Sequence, residues 1–194
     1  MTRKYEMDAG HRVMHERVKC HNFHGHRYVA DLEFGYDEMH SIGYALDFKE
    51  VKRVACAYFD KRFDHGMILN PHDEDMINVC LKHGTKIHLM NLMGKGEYCN
   101  HSAENIVKEL FFACTKLIDD PNNCNLHTHH IRLYETPNCW VDCYRDSLSE
   151  SDWKNLEASD FARDLEAFRK EKGTLEYDVR KASEEDLKVK DLEN

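Results

Sequence analysis

One short run near the N-terminus, Cys20-His21-Asn22-Phe23-His24-Gly25-His26, constrains this chain more than any other segment. Neutral imidazole is a natural ligand for zinc. Residues two apart on an extended strand share a face, so His24 and His26 can approach one ion together if a strand begins there. Gly25 between them leaves no side chain to crowd the metal. Three protein ligands and one vacant position describe a catalytic zinc site, whereas four ligands describe a structural one. The third ligand must come from elsewhere. His11 is available in Asp8-Ala9-Gly10-His11-Arg12, His15 and His21 compete with it, and the 14 histidines include another group at His127, His129 and His130.

Three further features bear on chemistry. Cys20 reads equally as a fourth ligand, closing a structural site, or as a reactive thiolate. A nearby zinc ion and Lys19 would both lower its pKa, as a base or nucleophile requires. Asp64-His65 places a carboxylate beside an imidazole whose tautomer it can fix. Glu135-Thr136 ends the apolar run Ile131-Arg132-Leu133-Tyr134, and a carboxylate there can accept two N–H donors from a planar heterocycle.

The hydrophobic pattern is α+β. Residues 2–9 form a short expected strand and residues 10–25 a loop. From Arg27 to Tyr36 the residues Tyr28, Ala30, Leu32 and Phe34 alternate with Asp31 and Glu33, as in a half-buried strand. Phe48, Val51, Val54, Ala55 and Phe59 then recur at helical spacing. Residues 64–70 read as a loop, 73–83 as a short helix, 86–90 as a short strand, and Gly94 and Gly96 as a turn. A second helix is expected from Ala103 to Leu117, buried through Ile106, Val107, Leu110, Phe111 and Cys114, with Ser102 as an N-cap that accepts a backbone N–H. Residues 127–134 and 138–145 form a strand pair. Trp153, Leu156, Phe161, Leu165 and Phe168 continue as an amphipathic helical pattern, followed by a charged tail.

Eight cysteines without a CxxC pair suit a reducing compartment, and Cys56, Cys80 and Cys114 fall at helical core positions. With no apolar run of about 18 residues and no apolar leader, the expectation is a cytoplasmic protein that does not enter membranes. A formal net charge of −9 argues against nucleic acid as a partner. The charge is uneven, however. Residues 1–28 hold six Arg/Lys against three acids, while residues 147–194 hold fourteen acids against nine bases. The basic segment reads first as a solvated surface and second as a site for an anionic small molecule; for an anionic substrate, Arg12, Arg17 and Lys19 are candidates among which no spacing chooses.

Taken in order, these segments resemble the 6-pyruvoyl/6-carboxytetrahydropterin synthase family over residues 5–145. His11 in Asp-Ala-Gly-His-Arg resembles the family's first zinc histidine, and Cys20 with His24-Gly25-His26 its cysteine and HGH signature. Gly43-Tyr-Ala-Leu-Asp47-Phe48, Asp64-His65 with Leu69-Asn70, Ser102-Ala-Glu104-Asn105 and Glu135-Thr136 match its later motifs in sequence. Family members that make 6-pyruvoyltetrahydropterin usually place five residues between the cysteine and the HxH pair. Those that make 6-carboxytetrahydropterin place three, as here.

The resemblance implies a tunnelling fold (T-fold): a ββααββ subunit with an antiparallel sheet and two helices, assembled into an oligomeric barrel with active sites between subunits. It further implies a zinc-dependent lyase, homo-oligomeric, acting on 7,8-dihydroneopterin triphosphate. Zinc would sit on His11, His24 and His26. Cys20, Asp64, His65 and Glu135 would be catalytic, and Glu135, Thr136 and Ser102 would hold substrate. The product would feed 7-deazaguanine (queuosine-type) synthesis. A 6-pyruvoyltetrahydropterin synthase and a non-catalytic zinc-stabilised binding module are the alternatives. Residues 1–146 form the expected T-fold domain and 147–194 an acidic, partly helical extension. Two departures stand out: three residues separate Asp64-His65 from Leu69-Asn70, and His101-Ser102 replaces the more usual Pro-Thr.

Overall fold

The computed structural model describes residues 1–39, 43, 45–92, 99–119 and 126–173. Six strands form one sheet: β1 (Thr2–His11), β2 (His24–Tyr36), β3 (Gly66–Leu69), β4 (Ile87–Leu89), β5 (Leu126–Thr136) and β6 (Cys139–Tyr144), in the spatial order β4-β3-β1-β2-β5-β6. The four long strands pair antiparallel, as expected, while β3 joins β1 and β4 joins β3 in parallel. Parallel neighbours need a crossover. Here α1 (Phe48–Val51), a π-helical stretch (Lys52–Cys56) and α2 (Ala57–Arg62) carry the chain to β3, and α3 (Glu74–His83) carries it to β4. The expected loop at 64–70 is therefore largely strand. Gly66-Met67-Ile68-Leu69 is too short to show alternation, and its pairing with β1 is set by the preceding helix.

Among the described residues, helices cover one face of the sheet. Tyr5, Met7 and Ala9 of β1, Tyr28, Ala30, Leu32 and Phe34 of β2, and Ile131 and Leu133 of β5 all point into a single core. Val51, Val54, Ala55, Tyr58 and Phe59 meet them from the first helical segment, as do Ile106, Val107, Leu110, Phe111 and Cys114 of α4 (Ala103–Ile118). The opposite face carries cross-strand ion pairs such as Lys4–Asp31 at 3.6 Å, Arg27–Glu6 at 2.7 Å and Arg132–Asp142 at 2.7 Å. A sheet covered on one side gives the alternation that the sequence shows.

The amphipathic pattern after residue 148 resolves into two helices, α5 (Glu150–Ala158) and α6 (Asp160–Lys172), broken at Ser159. The Ser159 hydroxyl caps α6 by accepting the Ala162 N–H at 3.2 Å. Leu156, Phe161, Leu165 and Phe168 are buried in the main core. Phe161 packs against Tyr58, Phe63, His88 and Phe112, and the Tyr58 hydroxyl donates to Asp164 at 2.8 Å. The two helices thus form a third layer on the outer side of α4. No helix among the described residues is long and apolar enough to cross a membrane. The turn read at Gly94 and Gly96, and the tail from residue 174, lie outside the described residues.

Phe161 is completely buried. Replacing it with alanine should destabilise the whole fold by about 3–5 kcal/mol, measured as the urea midpoint of a single cooperative transition. A loss below about 1 kcal/mol would mean that the third layer does not share the core.

Candidate metal centre

The alternation that builds the core continues past its apolar end. On β1 the inward series Tyr5, Met7, Ala9 runs on to His11; on β2 the series Phe34, Leu32, Ala30, Tyr28 runs back to His26 and His24. The antiparallel register sets His11 opposite His24 and Ala9 opposite His26. Three imidazoles therefore meet at one end of the covered face, with ring centroids 4.4 to 5.1 Å apart. One ligand atom from each lies within 4.8 Å of the others. Among the described residues no other group of His, Cys, Asp or Glu converges in this way. His15, His21 and the His127–His130 group are not members, and neither is Cys20.

Gly25 acts differently from the expectation. A Cβ there would lie 3.0 Å from the Ala9 carbonyl oxygen, on the backbone of β1. The glycine permits close approach of the two strands that carry the histidines, not room for an ion.

Backbone carbonyls set the tautomers. His11 Nδ1 lies 3.2 Å from the His101 carbonyl, and His24 Nδ1 lies 2.7 Å from the Asn22 carbonyl. A carbonyl only accepts, so each Nδ1 carries the proton and Nε2 keeps its lone pair for a metal. Desolvation pushes the His11 pKa down to about 4, despite its hydrogen bond to His101, and desolvation likewise lowers His26 against the pull of Glu135. At neutral pH both rings are neutral donors, as metal ligation requires.

Glu135 sits where the β5–β6 register shifts between Tyr134 and Thr136. Such a bulge re-aims a side chain. Its Oε1 lies 3.9 Å from His11 Nε2 and 3.8 Å from His26 Nε2. Glu135, Thr136, His26 and Arg27 help line a depression of about 580 Å³ at the ends of β2 and β5. Cys20 is exposed on the loop between β1 and β2, close enough to Tyr28 for a thiolate there to raise the phenol's pKa, after burial and Glu135. Ser102 occupies the N-cap of α4, but its hydroxyl makes no capping bond; its carbonyl takes the Asn105 and Ile106 N–H groups instead. The hydroxyl stays available for a ligand.

Asp64 and His65 stand apart. His65 Nδ1 is 2.7 Å from Asp64 Oδ2, while Asp64 Oδ1 accepts the Asp8 N–H at 2.9 Å. Burial raises the Asp64 pKa, but these bonds outweigh it and hold the carboxyl below its usual range. The His65 backbone is left-handed (φ 55°) and its side chain is 78% exposed. Among the described residues, no hydrogen bond, ion pair or ring contact joins this pair to the three histidines.

A family model described as 6-pyruvoyl tetrahydropterin synthase matches residues 1–146. The chain belongs to the 6-pyruvoyl tetrahydropterin synthase family. It is 34% identical over 145 residues to a 6-carboxy-5,6,7,8-tetrahydropterin synthase of Rickettsia felis, covering 73% of this chain and 96% of the relative. The Rickettsia bellii protein of the same name is 33% identical over 146 residues, with the same coverage. Two solved structures share the fold. An uncharacterized protein of Wolinella succinogenes has a TM-score of 0.56 at 16% identity, covering 75% of this chain and 97% of that one. The Caenorhabditis elegans 6-pyruvoyl tetrahydropterin synthase has a TM-score of 0.50 at 18% identity, covering 74% and 93%. The protein is a single-sheet α+β fold, as the T-fold resemblance implied.

Two contributors escape sequence reasoning, and one candidate has another partner. Tyr28, read only as an apolar strand residue, lies 3.4 Å from His11 Nε2, and burial, helped by the charge of Glu135, raises its pKa. The signal was its place two residues beyond His26 in the same series. His101, noted only as a departure, orients His11 through its carbonyl. Arg12, a candidate for anion binding, is instead held by both oxygens of Asp73 and lies over the Phe23 ring.

Desolvation also pushes the His101 pKa down to about 3, with the neighbouring His11 acting in the same direction. Unfolding would restore both histidines to about 6.5. The unfolded state then binds more protons between these values, so stability of the metal-free protein should fall as pH drops from about 6.5 toward 4. Urea midpoints measured in chelator across this range test the point. An unchanged midpoint would mean that neither ring is desolvated.

Proposed function

We propose that the chain is a zinc-dependent 6-carboxytetrahydropterin synthase. It converts 7,8-dihydroneopterin triphosphate to 6-carboxy-5,6,7,8-tetrahydropterin with loss of triphosphate and acetaldehyde. The observation that carries this reading is the set of three imidazoles with one ring nitrogen from each converging, beside a loop that presents a free thiol. The three-residue spacing from Cys20 to His24 and the names of the Rickettsia relatives support the 6-carboxy product over the 6-pyruvoyl one.

His11, His24 and His26 fit a zinc ion, which when bound supplies Lewis-acid polarisation of substrate oxygens. Cys20 as thiolate takes a carbon-bound proton from the substrate side chain. Glu135 accepts N–H donors of the pterin ring, and Thr136 lines the same depression. Ser102 offers its uncommitted hydroxyl. His65, with Nδ1 on Asp64, keeps Nε2 free to move protons. Among the described residues the Asp64–His65 pair makes no bond to the histidine cluster, and in the homo-oligomer of this reading a second copy supplies the pair across a subunit contact. The reading places the protein in the cytoplasm, feeding 7-deazaguanine synthesis.

Product mass spectrometry with dihydroneopterin triphosphate should show 6-carboxytetrahydropterin and acetaldehyde, both lost with chelator. Product without acetaldehyde would point to the 6-pyruvoyl reaction. Cys20→Ala should lower turnover about 10²–10⁴-fold with zinc content unchanged. Loss of zinc in that variant would mean that Cys20 closes a structural site. Zinc-dependent folding with no turnover would favour the binding module.

A further inference from the structure

The loop carrying Cys20 is tied mainly to itself. Val13 N–H donates to the Cys20 carbonyl at 2.7 Å, Asn22 N–H to the Lys19 carbonyl at 3.0 Å, and the Glu16 carboxylate accepts the Val18 and His21 N–H groups. Its root, residues 12–14, is attached to the body. There Asn100 Oδ1 accepts the Met14 N–H at 3.2 Å, and Asn100 Nδ2 donates to the Met14 carbonyl at 3.0 Å. One carboxamide thus satisfies both backbone groups of one residue, as a neighbouring strand would. Asn100 Oδ1 also accepts from Nδ2 of the fully buried Asn70 at 3.1 Å. The Asn100 carbonyl accepts from Asn105 Nδ2 at 2.7 Å. The next residue, His101, accepts the Arg12 N–H on Nε2 at 2.9 Å and takes the His11 Nδ1–H on its carbonyl.

We propose that Asn100 is a positioning residue that sets the Cys20 loop relative to the metal histidines. This rests on the reading of Cys20 as the base. Asn100 and His101 are adjacent, so the residue that fastens the loop root is coupled by one peptide bond to the carbonyl that orients His11. The amide uses both of its chemistries here. A carboxylate of the same size would keep the acceptor role toward Met14 N–H and Asn70, but would set an oxygen against the Met14 carbonyl. Asparagine at position 100 is therefore specific in a way that its volume alone does not explain. Displacing a reacting group by about 1 Å can cost about 100-fold in rate.

Hydrogen exchange, zinc content and steady-state kinetics on the full chain test this. In the wild-type protein the Met14 amide should exchange slowly; fast exchange would overturn the proposal without any variant. In Asn100→Ala and the isosteric Asn100→Asp, exchange should quicken across residues 12–23 while β1 and β2 stay protected. Turnover number should fall about 100-fold, with KM within about threefold and zinc retained. Full activity in Asn100→Asp would overturn the proposal, as would loss of zinc in either variant or loop exchange that does not change. If the wild-type protein forms no product, the functional reading fails, and the exchange pattern alone then supports or overturns the fastening by Asn100.

Discussion

The pairing of His11 with His24 across β1 and β2 is the constraint on which the site depends. Side chains on a strand have a period of two, so a slip of one residue would turn His24 and His26 to the charged face and bring Gly25 and Arg27 inward. The core blocks that slip. Met7, Ala9, Tyr28 and Ala30 are all buried, and a one-residue shift would move them out of register together. The absence of a side chain at Gly25 suits the same register, since a Cβ there would press on the Ala9 carbonyl of β1. The packing of an ordinary apolar core thereby aims three ligands at one point. No separate scaffold for the metal is needed.

Electrostatics at that point follow from the same placement. Rings at the end of a core lose water, and desolvation favours their neutral forms. Neutral imidazoles repel a cation far less than imidazolium would, so burial prepares the ligands. The Glu135 carboxylate, within 4 Å of two of them, supplies negative charge without belonging to the triad. Tyr28 stays protonated, because burial and Glu135 both raise its pKa. It is therefore a neutral hydrogen-bond donor beside the cluster. The outcome is a site rich in lone pairs and poor in positive charge, with Cys20 brought in from a loop outside it.

How much of this was legible in the sequence divides by distance along the chain. The β2 alternation, the α4 stripe and the His24-Gly25-His26 pair are local patterns, and they appear where periodicity placed them. Strand β3 was missed because four residues carry no period and the pairing partner is β1, more than fifty residues away. Asn100, His101 and Asp73 act on residues 12–14 and His11 from about 60 to 90 positions away. Two of the groups that fix histidine tautomers are backbone carbonyls, at Asn22 and His101, and a carbonyl leaves no trace in residue identity. Arg12 misled for a related reason: a basic residue near a motif suggests an anion, but its partner Asp73 was visible only in three dimensions.

The third layer shows why a boundary after residue 146 marks a limit of resemblance rather than of packing. The family model ends at residue 146, before α5 and α6, and the matches to the Rickettsia relatives span 96% of those proteins but 73% of this chain. Yet in this chain Tyr58, Phe63 and Phe112 face Phe161, and Trp153 covers Phe112. Beneath them Arg62 Nε–H donates to His88 Nδ1 at 2.8 Å, so the His88 proton lies on Nε2 and is given to Glu109 at 2.6 Å. The other Glu109 oxygen accepts the Asn91 and Leu92 N–H groups. Such a chain of buried polar groups is tolerable only while every member is paired and water is kept out. Phe161 lies against His88 and Asp164 reaches toward Arg62 at 3.9 Å, so the extension supplies both the cover and a counter-charge. A chain ending at 146 with these same residues would expose an aromatic surface and the hydrogen-bonded His88 beneath it. The two helices therefore pack directly over the polar chain that runs from half-buried Arg62 through buried His88 to buried Glu109.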